Sequence, residues 1–183
     1  MKIPLLLKLG KLRRNPGGLI EVADFGFLWD IEHWRDGKLL EHEQNLHNLM
    51  PTEGLNYVLE AAVRGGTAYS SWYIGLFEAN YTPLSTDTAA TFPGSATEST
   101  AYAESARQAY TTVAASGGVL TNAASKGVFT MNASKTIYGG FISSASAKSA
   151  TTGKLLSAAK FSTSKAVESG DVLNITATIT ATS

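Results

Sequence analysis

The chain contains no cysteine. That absence removes disulfides, thiolate nucleophiles and Cys-based zinc or iron–sulfur sites together, so stability has to come from packing and association. Charge is scarce as well: Asp, Glu, Lys and Arg make up 16% of the 183 residues, against roughly 25% in an average globular chain. Acidic and basic residues balance, for a formal net charge of zero. No global field therefore draws the chain to nucleic acid or to an anionic membrane, and neither is expected as a partner. Long apolar runs are missing too, and no window approaches the roughly 20 apolar residues of a membrane span. The opening "MKIPLLLKLGKLRRNPGG" is interrupted by Pro4, Lys8, Lys11, Arg13 and Arg14 before it reaches signal-peptide length, and no small-residue cleavage site follows. The expectation is a chain made in the cytoplasm.

The deficit in charge is filled by Ser, Thr, Ala and Gly. That mixture suits β-structure with many loops, or surfaces covered by other chains, better than a soluble helical enzyme. At this length one domain with an appended arm is expected.

Residues 1–18 form the arm. Five of them are Lys or Arg, none is acidic, and Pro16-Gly17-Gly18 closes the segment with breakers. A disordered terminus and an extension that docks on an acidic neighbouring chain are the two readings. Residues 19–183 form one β-rich domain. Within it, 19–49 predict a β-hairpin, because "LIEVADFGFLWDIEHW" and "KLLEHEQNLHNL" flank an Asp36-Gly37 turn. Trp29, Ile31 and His33 share one face, and Asp30, Glu32 and Trp34 the other; such a two-sided ribbon is expected to pack on a partner or along an edge.

Residues 51–64 predict the single short α-helix. Leu55, Val58, Leu59, Ala62 and Val63 make one apolar stripe, with Pro51 at the start and Gly65-Gly66 beyond the end. After it, "SSWYIGLFEA" alternates with both faces apolar, as in a strand near a sheet centre. Residues 80–125 are polar and aperiodic and predict an extended surface excursion, with a short strand in "ARQAYTTVAAS". The remainder has a repeating strand grammar: "KGVFTMNAS", "KTIYGGFISSAS", "KLLSAAKFST" and "DVLNITATITAT", separated by turn clusters. The fold class is therefore mainly β, an antiparallel β-sandwich or jelly-roll-like body over 69–183 joined to the hairpin, the helix and the arm.

Candidate chemistry is sparse. The hairpin clusters Asp30, Glu32, His33, Asp36, His42, Glu43 and His47, and across it His33 could approach His42. The spacing matches no zinc pattern, and charged edge-strand side chains explain the cluster as well. No G-x-S-x-G elbow occurs, and no histidine follows His47 to serve the β-rich part as a base. The acids of the second part (Glu78, Asp87, Glu98, Glu104, Glu168, Asp171) are few, and the double glycines fit no phosphate-binding pattern. No catalytic residue, cofactor site or metal site is expected, and the chain is read as non-enzymatic.

Two stretches carry a family resemblance. "NLMPTEGLNYVLEAAVRGGTAYSSWYIGLFEANYTPL", followed later by "GKLLSAAKFSTSKAVESGDVLNITATI", resembles small virion structural proteins encoded among the head genes of tailed bacteriophages. In that group a helix of "N-x-G-L-N-x-L-L" type precedes a "W-Y-V-G-L" strand, and a "G-D-x-L-x-V-x-Y" strand ends the chain. The resemblance covers roughly residues 45–84 and 153–180. It implies a capsid decoration, or cement, protein bound to the outside of the major capsid shell and stabilising it. The expected partners are the major capsid protein and other copies of the chain, as a dimer or trimer. On that reading Lys2, Lys8, Lys11, Arg13 and Arg14 meet acidic capsid surface, and Trp29, Trp34 and Arg35 are interface anchors, since aromatic and Arg side chains usually anchor protein interfaces. The competing readings are a tail, neck or fibre-like adhesion component, whose loop from 80 to 125 would touch a receptor, and an enzyme with a metal site in the hairpin.

Overall fold

Asp36 and Gly37 both take positive φ, 50° and 73°, the backbone of a tight turn whose twist matches the strands it joins. The strands on either side are β3 (Asp24–Arg35) and β4 (Lys38–His47), so the expected hairpin forms. The computed structural model describes residues 14–15, 18–19 and 24–182. Ahead of the hairpin, β1 (Arg14–Asn15) and β2 (Gly18–Leu19) pair antiparallel. After it come α1 (Thr52–Ala62), β5 (Tyr73–Phe77), the single-turn α2 (Phe92–Ser95), and the short strands β6 (Glu98–Ser99), β7 (Gln108–Ala109), β8 (Val119–Thr121) and β9 (Gly127–Thr130). Three long strands close the chain: β10 (Lys135–Ser143), β11 (Leu155–Val167) and β12 (Val172–Thr182).

These strands build two antiparallel sheets. One runs β11-β10-β5-β6, with β7 also on β5; the other runs β4-β3-β12-β8, with β9 also on β12. Their inner faces share a core that includes Phe27, Trp29 and Ile31 from β3, Ile74 and Leu76 from β5, Phe129 from β9, and Leu173 and Ile175 from β12. The result is the sandwich that the alternating strands predict.

The hairpin is more than an appended ribbon. β3 pairs with β12 from Trp34↔Val172 to Asp24↔Thr182, eleven consecutive residue pairs. That makes β3 an interior strand, hydrogen-bonded on both sides, and leaves β4 as the edge of the sheet, so of the two expected placements, on a partner or along an edge, the ribbon takes the edge. The cause lies in its alternation: Phe27, Trp29, Ile31 and His33 all point into the sandwich, so pairing with β12 removes both apolar surface and open backbone groups from water.

The polar tract from 80 to 125 also departs from expectation. Phe92 of α2 is fully buried, edge-on to Phe77 at 5.6 Å and tilted against Phe141 at 5.2 Å. With Ala89, Ala96, Leu155 and Ala158 these rings form a second core on the other side of the β10–β11 sheet. Tyr102 and Tyr110 bury as well, and the Tyr110 hydroxyl donates to the Ala177 carbonyl at 2.9 Å. The tract is therefore a folded cover held by a few widely spaced aromatics, which carry no periodic signal in a Ser/Thr/Ala background.

Helix α1 forms where the sequence places it, but it presents a different side. Gly54 is its one buried residue, Leu55, Tyr57 and Val58 are half-buried, and Leu59 and Val63 stand 60% and 80% exposed. A Cβ on Gly54 would lie 2.7 Å from the Leu156 carbonyl oxygen and 2.9 Å from that of Leu155. Only a glycine lets the helix backbone approach β11 this closely. That contact sets the roll of the helix, and the stripe read from periodicity ends half outside.

Candidate functional site

The hairpin tip is where predicted site residues and chemistry meet. Asp171, at the turn into β12, is buried and holds three groups. Arg35 grips it with Nε donating to Oδ1 and Nη2 to Oδ2, both at 2.8 Å. His33 Nε2 lies 2.8 Å from Oδ2, and the Glu168 amide donates to the same oxygen at 2.8 Å. Arg35 Nη1 also pairs with Glu168 Oε1 at 3.0 Å. The bidentate guanidinium is the largest influence holding the Asp171 carboxyl well below the usual carboxylate range, and the carboxylate in turn raises Arg35 above its ordinary value. The arrangement staples the β3–β4 turn to the β11–β12 turn.

Arg35, expected to anchor a partner, therefore has its donors engaged within the chain. Trp29 corrects that expectation outright: it has no exposed surface, and its indole Nε1 donates to Ser157 Oγ across the sandwich at 3.3 Å. A side chain without exposed surface cannot seat on a neighbour. Trp34 is half-buried, on the outward face, and donates to Glu32 Oε2 at 3.2 Å. Glu32 also accepts from Lys126 at 2.6 Å and Asn174 at 3.1 Å, and the Lys126 contact leads in holding its carboxyl down to about 2. Lys2, Lys8, Lys11 and Arg13 lie outside the described residues; Arg14 is in β1.

The histidines do not converge. In the hairpin register His33 sits opposite Glu41, and His42 opposite Glu32. Cross-strand neighbours share a face, so His33 points into the core while His42 points out. Among the described residues no group of three or more His, Asp or Glu is placed to hold a metal. The other ring nitrogen of His33, Nδ1, is buried without a hydrogen-bond partner.

Two ionic clusters lie beyond what sequence reasoning found. Glu98 and Arg107 form a bidentate pair, at 2.8 and 2.6 Å, with side chains 1% and 0% exposed. Arg107 also donates to the carbonyls of Ala145 and Ala150, and Glu98 accepts the Ser149 amide. This clamp ties the 98–107 segment to the 143–155 loop. The second is Lys165 on β11, buried, with its ammonium 2.7 Å from Glu41 and 3.1 Å from Glu43 on β4. Burial pushes Glu43 up, but the Ser162 and Lys165 donors outweigh it and the carboxyl ends below its ordinary value. This cluster joins the edges of the two sheets. The signal for both was charge isolated in a charge-poor sequence.

In each cluster the charged groups face one another and hold loops or edges, leaving little polar chemistry directed outward. Among the described residues the most exposed large apolar side chains are Leu59 on α1 and Val63 just beyond its end.

Residues 50–182 match the family model described as podophage GP4 fiber I protein gp80. The chain belongs to this family. The match runs from just before α1 to the last residue of β12 and leaves β3 and β4 outside it. The family is one of phage virion structural proteins, the class that the two motif-bearing stretches suggested; it does not single out capsid decoration. No curated protein matches the chain.

Proposed function

We propose that the chain is a non-enzymatic structural subunit of a podophage fibre. The observation that carries this reading is the family match across residues 50–182, to a model described as a fiber protein. The physical structure is consistent with a mechanical part. Two sheets are joined at one edge by Lys165, the loop between β10 and β11 is clamped by Arg107, and two tight turns are stapled together by Arg35. A body clamped in this way transmits force without opening, because its ties span residues far apart in the chain. Gold-labelled antibody against residues 50–182, applied to intact virions, tests the place directly. Label on fibres is expected; label spread over the head would overturn the assignment.

Capsid decoration is the second reading, favoured by one feature: segment 1–18, whose charged side chains are all basic, lies outside the matched residues and suits an acidic shell. Co-sedimentation with undecorated capsid shells, with and without residues 1–18, separates the two. Saturable binding weakened by the truncation would favour decoration, and absence of binding would remove it.

A further inference from the structure

We propose that Lys126 and Asn174 become joined by an isopeptide bond, formed by the chain itself with Glu32 as the proton carrier. The inference does not depend on whether the subunit sits on a fibre or on the head. The three side chains stand on the outward face of one sheet. Asn174 of β12 is the register partner of Glu32 on β3 and, on its other side, of Val128 on β9. Lys126 lies two residues before Val128 and so carries on the same face. Because β12 runs between β9 and β3, the lysine has to reach across two strand spacings, about 10 Å, on the side of β12 that carries Asn174. Its Nζ donates to Glu32 Oε1 at 2.6 Å, and the Asn174 side-chain amide donates to Oε2 at 3.1 Å. One carboxylate therefore holds an amine and a carboxamide side by side.

The arrangement supplies each part of an amide exchange. The Glu32 side chain is 17% exposed and that of Lys126 36%, so the strands cover most of both groups. Trp34 Nε1 donates to Glu32 as well, which fixes the carboxylate from a third direction. Holding nucleophile and acceptor on one anchor replaces a bimolecular encounter and can be worth an effective concentration of about 10⁵–10⁸ M. Glu32 takes a proton from the ammonium, and the freed nitrogen pair attacks Asn174 Cγ. The carbonyl π pair moves onto Oδ1, and its return breaks the Cγ–Nδ2 bond. Nδ2 leaves with the proton held by Glu32. Lysine brings three protons and the carboxamide two; one stays on the new amide and the rest depart with the ammonia as ammonium. Neither an oxidant nor an activated donor enters. Glu32 keeps the Trp34 donor and gains the new amide N–H, so the carboxylate remains hydrogen-bonded. The bond would tie the four-residue β9 to β12 covalently.

Intact-mass measurement of the folded, full-length protein decides the matter. The parent is expected to weigh about 17 Da less than its sequence, the mass of one ammonia. Lys126→Arg keeps the ion pair without an attacking amine, and is expected to show no loss. Trypsin does not cut after an acylated lysine, so the parent is expected to yield a branched peptide that joins residues 108–135 to residues 166–183. Glu32→Gln, with circular dichroism equal to the parent's, is expected to leave the bond unformed in most molecules. A parent at full mass overturns the proposal. The same loss retained in Lys126→Arg also overturns it, by placing the lost ammonia in a cyclised asparagine. Complete cross-linking in Glu32→Gln overturns the role given to Glu32.

Discussion

Two arginines in this molecule make the same forked contact with a carboxylate, and their surroundings give them different weight. Arg107 grips Glu98 where neither side chain meets water, while Arg35 grips Asp171 with a third of its own surface still solvated. Geometry alone does not separate them: all four donor distances lie between 2.6 and 2.8 Å. Burial does. A charge left alone in the dry interior has neither water nor a counter-ion, whereas Asp171 without Arg35 keeps the Glu168 amide, His33 and access to solvent along the vacated side.

The sharpest way to break the comparison is to remove each arginine. Arg107→Ala is expected to cost about 3–5 kcal/mol, by leaving Glu98 charged, buried and unpaired. Urea unfolding measures it directly. Arg35→Ala is expected to cost less, the loss of charged hydrogen bonds at a partly solvated site. Equal losses would show that burial does not rank the two pairs. Removing both members of the buried pair, Arg107→Met with Glu98→Leu, is expected to recover part of the single-variant loss, since no lone charge remains; the carbonyls of Ala145 and Ala150 keep the recovery incomplete.

Acid titration examines the more exposed pair. Asp171 titrates below its ordinary value when folded, so the stability from that shift is complete above about pH 4, the unfolded carboxylate value, and is lost as pH falls through the lower folded one. Glu32 behaves the same way between about 4.5 and about 2. Unfolding followed against pH is expected to show a shallower acid limb in Asp171→Asn than in the parent, and a smaller flattening in Glu32→Gln. The smallest effect belongs to α1: Leu59→Ser is expected to change the stability of the isolated chain by no more than about 0.5 kcal/mol, because its side chain already faces water. A larger loss would mean that Leu59 is covered.

The same contrast runs through what could be read ahead of the structure. Turn chemistry at Asp36-Gly37, alternation in β3, β5 and β12, and the Pro51-to-Gly65 bounds of the helix are local signals, and the elements formed where those signals lie. Trp29 and Arg35 were legible as unusual residues but not as inward-directed ones. Their roles depend on Ser157 and Asp171, more than a hundred positions away. The 80–125 tract was misread because Phe92, Tyr102 and Tyr110 are too far apart to share a period, although each finds a ring or carbonyl to bury against.

By itself, then, the sequence determined the class of architecture, a charge-poor, cysteine-free β-body with one helix, and carried the motifs that a phage family model matches across residues 50–182. Both are properties of short windows, where side-chain period and turn residues act on their immediate neighbours. Only the tertiary structure decided which side of α1 is buried, which charges are neutralised inside, and that the hairpin completes the sheet of β12. Those outcomes rest on contacts such as Gly54 against β11, whose geometry exists only after distant strands have met.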